Sequence, residues 1–139
     1  MEIRINDFET EAYKEKIHDL LITYNREKTK DINEINKPLE IIAIENNKII
    51  GGIYGRSIWG TLEIKTFVVD ESYRKKGIGT KLILEAENEA FQRNCRYISL
   101  DTFSFQAPKF YEHMGFELIG TETDFPKGFE KYYYRKSIK

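Results

Sequence analysis

Apolar residues recur along this chain with helical and with strand periods, and the two periods predict where its elements lie. After Asp7 the chain carries one apolar helical face, formed by Tyr13, Ile17, Leu20, Leu21 and Tyr24. A second helical pattern runs to about Asn94 and turns inward Leu82, Ile83, Ala86 and Ala90. A third helix is predicted over residues 106–114, stopped by Gly115, which suits a left-handed cap.

Short β-branched runs predict the strands. A strand is expected at residues 2–6, and a hairpin at 39–45 and 48–54, because Asn46 and Asn47 tolerate the positive φ of a two-residue turn. Residues 61–69 predict a strand with Leu62, Ile64, Thr66 and Val68 on one face and Glu63, Lys65, Phe67 and Val69 on the other. Further strands are expected at 97–101, 116–121 and 131–138, and residues 28–38 are expected to form a loop with a short helix around Ile32 and Ile35.

The order of these elements predicts the fold class. A strand and a helix precede an antiparallel meander, and then strands alternate with helices before two closing strands. That order is typical of an α/β layer fold of the mixed α+β kind. With 139 residues and no linker, repeat or low-complexity tract, the chain is expected to be a single domain over residues 1–139.

Composition excludes several classes of function. The net charge is −1, from 22 basic and 23 acidic residues, so no nucleic-acid partner is expected. No apolar run is long enough to span a membrane and the first residues do not resemble a signal peptide, so no membrane partner and a cytoplasmic location are expected. Cys95 cannot form an internal disulfide and, with only His18 and His113 beside it, does not match a metal site.

The most informative segment is the strand end, loop and helix start at residues 67–80. A helix start offers free N–H groups and a positive dipole end to an anion. Gly77 and Gly79 remove side chains there, and Arg74, Lys75 and Lys76 add positive charge, so a pyrophosphate would fit. The segment matches neither a Walker loop nor a dinucleotide fingerprint. Taken alone, the glycines are also compatible with a plain turn beside a solvated basic run.

Two motifs together resemble the GNAT superfamily of acetyl-CoA-dependent N-acetyltransferases. Arg74, Gly77 and Gly79 match the loop pattern of that family, in which Arg or Gln is followed by Gly and then by Gly or Ala. Ala107, Tyr111 and the pair Gly115-Phe116 match its later helix. The resemblance implies a GNAT-like acyl-CoA N-acyltransferase fold, with a mostly antiparallel sheet flanked by helices, in a small single-domain member of bacterial type.

The resemblance also implies how acetyl-CoA would be held. In the family, the strand before the loop splays from its neighbour and its backbone binds the pantetheine arm like an added strand. The matching residues here are Phe67, Val68 and Val69, with the Phe67 amide placed to polarise the thioester carbonyl. The pyrophosphate would be held by the backbone of Arg74, Lys75, Lys76, Gly77, Ile78, Gly79 and Thr80. Ser104 stands where the family often has Asn, and its hydroxyl offers the cofactor a single hydrogen bond.

Two residues match catalytic positions of the family. Tyr111 matches the general acid, and a phenol, with a pKa of about 10, is suited to protonate a departing thiolate. Glu63 lies where some members place a general base, and a bridging water would connect it to the amine. The alternatives are a tyrosine that packs in the core and an ordinary exposed strand carboxylate. Cys95 is interpreted as an apolar filler and His113 as a surface residue.

The resemblance therefore predicts direct acetyl transfer from acetyl-CoA to a primary amine, without a covalent enzyme intermediate. Small-molecule amines, amino-sugar antibiotics and polyamines are the favoured acceptors, and protein N-termini or lysines are an alternative. A second alternative is a non-catalytic acetyl-CoA-binding sensor or interaction module. The acceptor would be selected by residues 13–37, which are rich in carboxylates, and by residues 120–130. Homodimers are frequent in the family, so the resemblance leaves a homodimer open.

Overall fold

The computed structural model describes residues 1–138 and divides the chain into two compact units, Met1–Asn33 and Glu34–Lys139. The first unit contains helix α1 (Glu11–Lys28), which carries the predicted apolar face. Thr29 follows the helix and its Oγ1 donates a hydrogen bond to the Asn25 carbonyl, 2.7 Å away. No described helix is long and apolar enough to cross a membrane.

Two predictions near the first unit are wrong. Residues 2–6 form no strand, and the Arg4 guanidinium pairs instead with Glu2 two residues away. A strand of this length needs a paired neighbour to persist, and the described sheet offers these residues no partner. Residues 32–36 form no helix and lead directly into the sheet, because a single turn without an amphipathic repeat gains too little to nucleate.

The second unit is built on one six-stranded sheet. Its strands lie in the order β1-β2-β3-β4-β6-β5 and are β1 (Lys37–Glu45), β2 (Lys48–Ile58), β3 (Thr61–Val69), β4 (Tyr97–Phe103), β5 (Glu117–Thr123) and β6 (Glu130–Ser137). All neighbours are antiparallel except β3 and β4. The predicted hairpin is confirmed, since β1 and β2 are joined by Asn46 and Asn47 at φ of 52° and 60°. The mixed, mostly antiparallel fold class is confirmed with it.

Two helices cover one face of this sheet. Helix α2 (Ile78–Gln92) buries the four predicted residues, Leu82, Ile83, Ala86 and Ala90. They join a core formed with Leu62 of β3, Ile98 and Leu100 of β4, Phe116 and Tyr134. Helix α3 (Pro108–His113) is shorter than predicted at both ends, because Ala107 adopts a φ of 35° and Gly115 a φ of 90°.

A bulge in β3 corrects the predicted faces of that strand. Tyr54 pairs with Thr66 and Gly55 with Ile64, so Lys65 has no partner on β2. One extra residue inverts the alternation beyond it. Leu62 and Ile64 are therefore buried, and Phe67 and Val69 pack on the same core although the unbroken alternation assigns them to the opposite face. Gly55 permits the close approach, because a Cβ there would collide with the Glu63 carbonyl.

A buried guanidinium joins α2 to the outer strands. Arg93 follows α2, and its side chain is only 7% exposed. It donates hydrogen bonds to the carbonyls of Lys37 and Pro38 and to the Ser57 hydroxyl, at 3.0, 3.0 and 3.1 Å, and its Nε lies 2.8 Å from Glu89. A fork-shaped cation with this many acceptors fixes the helix end against β1 and β2.

Candidate active site

The sheet opens between its two parallel strands. β3 and β4 pair only through Thr61 with Tyr97, Leu62 with Ile98 and Glu63 with Ser99. Beyond those pairs β3 continues to Val69 and β4 to Phe103 without pairing to each other. The space between them is a cleft of about 860 Å³, large enough for a cofactor arm.

Most residues of the predicted cofactor site line this cleft. From β3 and the loop these are Phe67, Val68, Val69, Arg74, Lys75, Gly77, Ile78, Gly79 and Thr80. The far wall is formed by β4, by the following loop and by α3, and includes Asp101, Phe103, Phe105, Gln106, Phe110 and Tyr111. Residues from both predicted motifs, the glycine loop and the Tyr111 helix, therefore meet in one place.

The backbone of β3 presents hydrogen-bonding groups to the cleft. The Asp70 N–H donates to the Ile50 carbonyl of β2, at 2.7 Å. Because the N–H and C=O groups of a strand residue share a side and the sides alternate, those of Val69 and Phe67 point away from β2. The Arg74 Nε–H accordingly reaches the Val69 carbonyl at 3.0 Å. The Phe67 N–H is thus directed toward the opening.

The loop after β3 forms a concave run of amides. The Asp70 carboxylate accepts from the Ser72 N–H and starts a short 3-10 turn, Glu71–Tyr73. Lys75 and Gly77 then take φ of 62° and 81°, and α2 begins at the next residue. No N–H group from Lys75 to Thr80 donates a hydrogen bond within residues 1–138. Free amides at a helix start, beside the cationic side chains of Arg74 and Lys75, suit an anion such as a pyrophosphate.

Tyr111 lies on α3, half-buried against aromatic rings. Its ring centroid is 6.1 Å from that of Phe67, 5.9 Å from Phe116 and 5.9 Å from Tyr134. Burial, and secondarily the charge of Asp101, raise the pKa of Tyr111 to about 12. The phenol is therefore fully protonated at neutral pH and has a proton to donate.

Three of the predicted site residues do not line the cleft. Glu63 is exposed at the last β3–β4 pair, where the strands begin to separate. The Lys76 side chain lies over the Tyr73 ring, with Nζ 5.3 Å from the centroid. The Ser104 hydroxyl accepts from the Glu130 N–H at 3.0 Å, so its oxygen is engaged with the start of β6.

The structure adds residues that the sequence motifs do not point to. Asp101 places an exposed carboxylate on the cleft wall, and Gln106 accepts hydrogen bonds from the Phe103 N–H and the Thr102 hydroxyl. The alternation of β4, with Ile98, Leu100 and Thr102 buried, was the available signal for Asp101.

Other polar candidates lie outside this chemistry. Cys95 is buried in the core, where burial raises the pKa of its thiol. A thiol in that state packs as a small apolar group. Among residues 1–138, no three His, Cys, Asp or Glu side chains are grouped so that they would hold a metal ion.

Comparison with known proteins decides the family. The model of the Acetyltransferase (GNAT) family matches residues 4–116. The chain belongs to the GNAT acetyltransferases. Blasticidin-S acetyltransferase from Streptomyces morookaense is 32% identical to this GNAT chain over 107 residues, which cover 73% of the chain and 79% of that enzyme. The family match over residues 4–116 spans both the glycine loop and the Tyr111 helix, so the resemblance based on those motifs is confirmed.

Solved structures agree with this assignment. A crystal structure of an acetyltransferase from Bacillus cereus ATCC 14579 is 33% identical, with a TM-score of 0.86 over 96% of this chain and 97% of that one. A candidate streptothricin acetyltransferase from Bacillus anthracis str. Ames, in complex with acetyl coenzyme A, is also 33% identical, with a TM-score of 0.63 over 75% of this chain and 65% of that one. This GNAT protein is an acetyl-CoA-dependent N-acetyltransferase, and acetyl-CoA is its cosubstrate.

Proposed function

We propose that this acetyltransferase moves an acetyl group from acetyl-CoA directly to a primary amine of a small molecule, with both substrates bound together. An amino-sugar antibiotic, a polyamine or another small amine is the expected acceptor. The observation that supports the proposal is the opening of the sheet after Glu63 and Ser99, which brings the glycine loop and Tyr111 to one cleft. The name of the blasticidin-S relative favours a small-molecule acceptor over a protein.

The pyrophosphate is proposed to lie on the amides of Lys75 to Thr80. Those N–H groups lack partners within the described chain, and the Gly77 position is open, with no atom within 4 Å of where a Cβ would stand. At Gly79 the corresponding Cβ position lies 3.5 Å from the Phe67 and Phe110 rings, so protein side chains already occupy that side of the loop. The anion would therefore approach from the open side of Gly77, where the α2 dipole favours it.

The backbone of β3 is proposed to hold the acyl end. Acetyl-CoA supplies a thioester whose carbonyl carbon accepts a nucleophile. The Phe67 N–H faces the cleft, so it is suited to donate a hydrogen bond to the thioester carbonyl oxygen and to stabilise the negative charge that develops there. Val68 and Val69 would align the pantetheine arm along the unpaired edge of β3.

Tyr111 is proposed to protonate the departing sulfur. Its phenol is neutral at working pH because of burial, and its ring contacts Phe67, whose amide faces the same opening. Glu63 stays a candidate base, acting through water, because it lies at the point where the two strands separate and not on the cleft wall.

Calorimetric titration with acetyl-CoA tests the proposed site directly. Gly77→Glu adds bulk and a negative charge at the loop, and Gly128→Glu is a matched control. Both glycines have similar positive φ, 81° and 85°, and neither has an atom within 4 Å of its Cβ position, so the backbone strain is alike. We expect the wild type and Gly128→Glu to bind acetyl-CoA in the micromolar range and Gly77→Glu not to bind.

Turnover is then measured as free thiol released from acetyl-CoA with a panel of small amines. Release with a small amine supports the proposal. Equal loss of binding in both glycine variants would contradict the loop as the pyrophosphate site, and acetylation of peptides alone would contradict a small-molecule acceptor.

A further inference from the structure

One wall of the cleft is formed by side chains of β4. Side chains of β4 alternate, and Ile98 and Leu100 pack on the core beneath α2. Asp101 and Phe103 point to the opposite face of the sheet and also line the cleft. An amine that approaches the Phe67 amide along this wall passes Asp101 and Phe103.

The Asp101 carboxylate is available to a ligand. It is exposed on the cleft wall, and within residues 1–138 it makes no side-chain hydrogen bond or ion pair. It lies near enough to Tyr111 for its charge to contribute to the raised pKa of that phenol. A carboxylate at this place offers an ammonium group a partner close to the proposed proton donor.

Four aromatic rings continue the wall outward from Asp101. This phenylalanine cluster consists of Phe103, Phe105, Phe125 and Phe129. Phe103 stacks on Phe105 with centroids 5.4 Å apart and planes within 8°, and it lies 6.0 Å from Phe125. Phe129 meets Phe105 edge-on at 5.1 Å. Phe105 is 56% exposed and the two loop rings are 48% and 43% exposed, which is unusual for an apolar cluster that serves packing alone.

Hydrogen bonds donated by backbone N–H groups hold the cluster in place before any ligand arrives. The loop between β5 and β6 is closed by the Gly128 N–H to the Asp124 carboxylate at 2.9 Å. Ser104 and Glu130 exchange two further hydrogen bonds, at 2.8 and 3.0 Å, which tie that loop to the one carrying Phe105. Rings fixed in this way lose little entropy when they bind a ligand.

The cluster already contacts a cation of the chain itself. The Lys131 Nζ lies 5.9 Å from the Phe103 centroid and 5.4 Å from that of Phe125. Lys131 contacts these two rings and not that of Phe105, which is 56% exposed and is left for another group. Because Lys131 already places a positive charge beside the cluster, the exposed Phe105 ring is better suited to stack on a flat apolar group than to bind a second cation.

From this arrangement, and resting on the proposed function, we propose that Asp101 and the phenylalanine cluster form the acceptor subsite, and that its occupant is a small primary amine carried on a flat ring. Asp101 receives the ammonium group and Phe105 stacks on the ring. Linear polyamines offer no ring to stack, and the ring of an amino sugar is neither flat nor free of hydroxyls, so this wall favours the aromatic members of the proposed acceptor class over these two.

The chemistry balances with the residues of the cleft. The ammonium releases one proton to solvent past Asp101, and the neutral nitrogen then attacks the thioester carbon. A C–N bond forms, the C–S bond breaks, and Tyr111 gives its proton to the sulfur. The second proton from nitrogen restores the phenol, so the products are the acetamide, free coenzyme A and one proton.

The test compares primary amines that differ in shape. Phenethylamine, tryptamine, n-hexylamine, spermidine and glucosamine are assayed by thiol release with the intact enzyme. We expect kcat/KM for the two ring amines, phenethylamine and tryptamine, to exceed that for n-hexylamine by about tenfold. That is the scale of discrimination by one apolar pocket.

Two variants connect that preference to the subsite. Phe105→Leu should raise KM for the ring amines about tenfold, leave kcat nearly unchanged and remove the preference over n-hexylamine. Phe91→Leu is its matched control, an exposed phenylalanine of α2, at 64%, that lies outside the cleft. Asp101→Asn should raise KM for every amine, whereas Glu45→Gln, on the β1–β2 hairpin, should not.

Each outcome decides the inference separately from the proposed function. A ring preference that survives Phe105→Leu, or the absence of any preference, overturns the subsite while acetyl transfer stands. Acetyl-CoA binding without acetylation of any ring amine also overturns the subsite. Loss of acetyl-CoA binding in Phe105→Leu would give the ring a structural role instead.

Discussion

At the scale of single residues, Tyr111 carries the clearest chemical consequence. Its phenol is surrounded by the rings of Phe67, Phe116 and Tyr134, and burial raises its pKa to about 12. A phenol with this pKa does not ionise at working pH, so its proton remains available for donation. A thiol is the stronger acid, with a pKa of about 8.5, so proton transfer to the departing sulfur is coupled to the loss of the second amine proton, which restores the phenol.

Tyr111→Phe should lower kcat about 100-fold, the lower end of what a positioned acid contributes. The acetyl-CoA dissociation constant should change by less than about twofold, because the ring and its packing remain. Steady-state thiol release and calorimetry measure the two quantities. Tyr97→Phe, at the far end of β4, serves as the control. A variant with unchanged kcat would remove Tyr111 from the proton path.

The same residue predicts a pH dependence of stability. A pKa raised from 10 to about 12 means that the folded state holds the phenolic proton more tightly than the unfolded chain. This contribution to the free energy of unfolding is complete below about pH 10 and is lost as pH rises through 12. Urea unfolding at pH 9, 10.5 and 11.5 should therefore show a steeper decline for the wild type than for Tyr111→Phe. Parallel declines would contradict the burial of the phenol.

Residue patterns predicted part of this site and missed part of it. The spacing of Arg74, Gly77 and Gly79 identified the loop, because a helix start that binds an anion requires a local backbone pattern. Asp101 is separated from that loop by the whole of α2, and only the splay of β3 from β4 brings the two together. Ser104 stands where the family often has Asn, and its hydroxyl accepts a hydrogen bond from the backbone of Glu130, in a strand that follows much later in the chain.

At the scale of elements, α2 and the β1–β2 hairpin were predictable, and the inner course of β3 was not. The inward face of α2 follows from its spacing, and Asn46-Asn47 specify their turn. The Lys65 bulge leaves no mark on the alternation of polar and apolar residues, since Thr66 and Val68 are as compatible with a core as Phe67 and Val69. The pairing partner decides between them.

Arg93 is the element-scale contact most open to test. Arg93→Met keeps the volume but leaves two carbonyls and a hydroxyl without their donor, so we expect a loss of about 2 to 4 kcal/mol in the free energy of unfolding. Arg96→Met, which breaks a half-exposed pair with Glu34, should cost less than about 1 kcal/mol. Urea denaturation with an unchanged m-value measures both. Similar losses of unfolding free energy in the two variants would contradict the role of Arg93 in fixing the end of α2 against β1 and β2.

At the scale of the whole molecule, cosubstrate binding and folding are linked. Acetyl-CoA at 100 times its dissociation constant should stabilise the fold by about 2.7 kcal/mol and raise the Tm by about 8 to 10 °C. Gly128→Glu should keep this increase, measured from its own lower Tm, and Gly77→Glu should lose it. Differential scanning fluorimetry measures the increments, and an increase in Gly77→Glu equal to that of the wild type would place the cosubstrate elsewhere.

The three residue pairs between β3 and β4 have a mechanical meaning as well. Each half of the sheet, β1-β2-β3 and β4-β6-β5, is held by long antiparallel ladders, so the seam between them is the weakest line of the sheet. A molecule bound along the β3–β4 seam contacts both halves of the sheet and restrains their relative motion. Amide hydrogen exchange should then slow in β3 and in β4 together. The sheet would be most rigid while the substrate bridges these two strands.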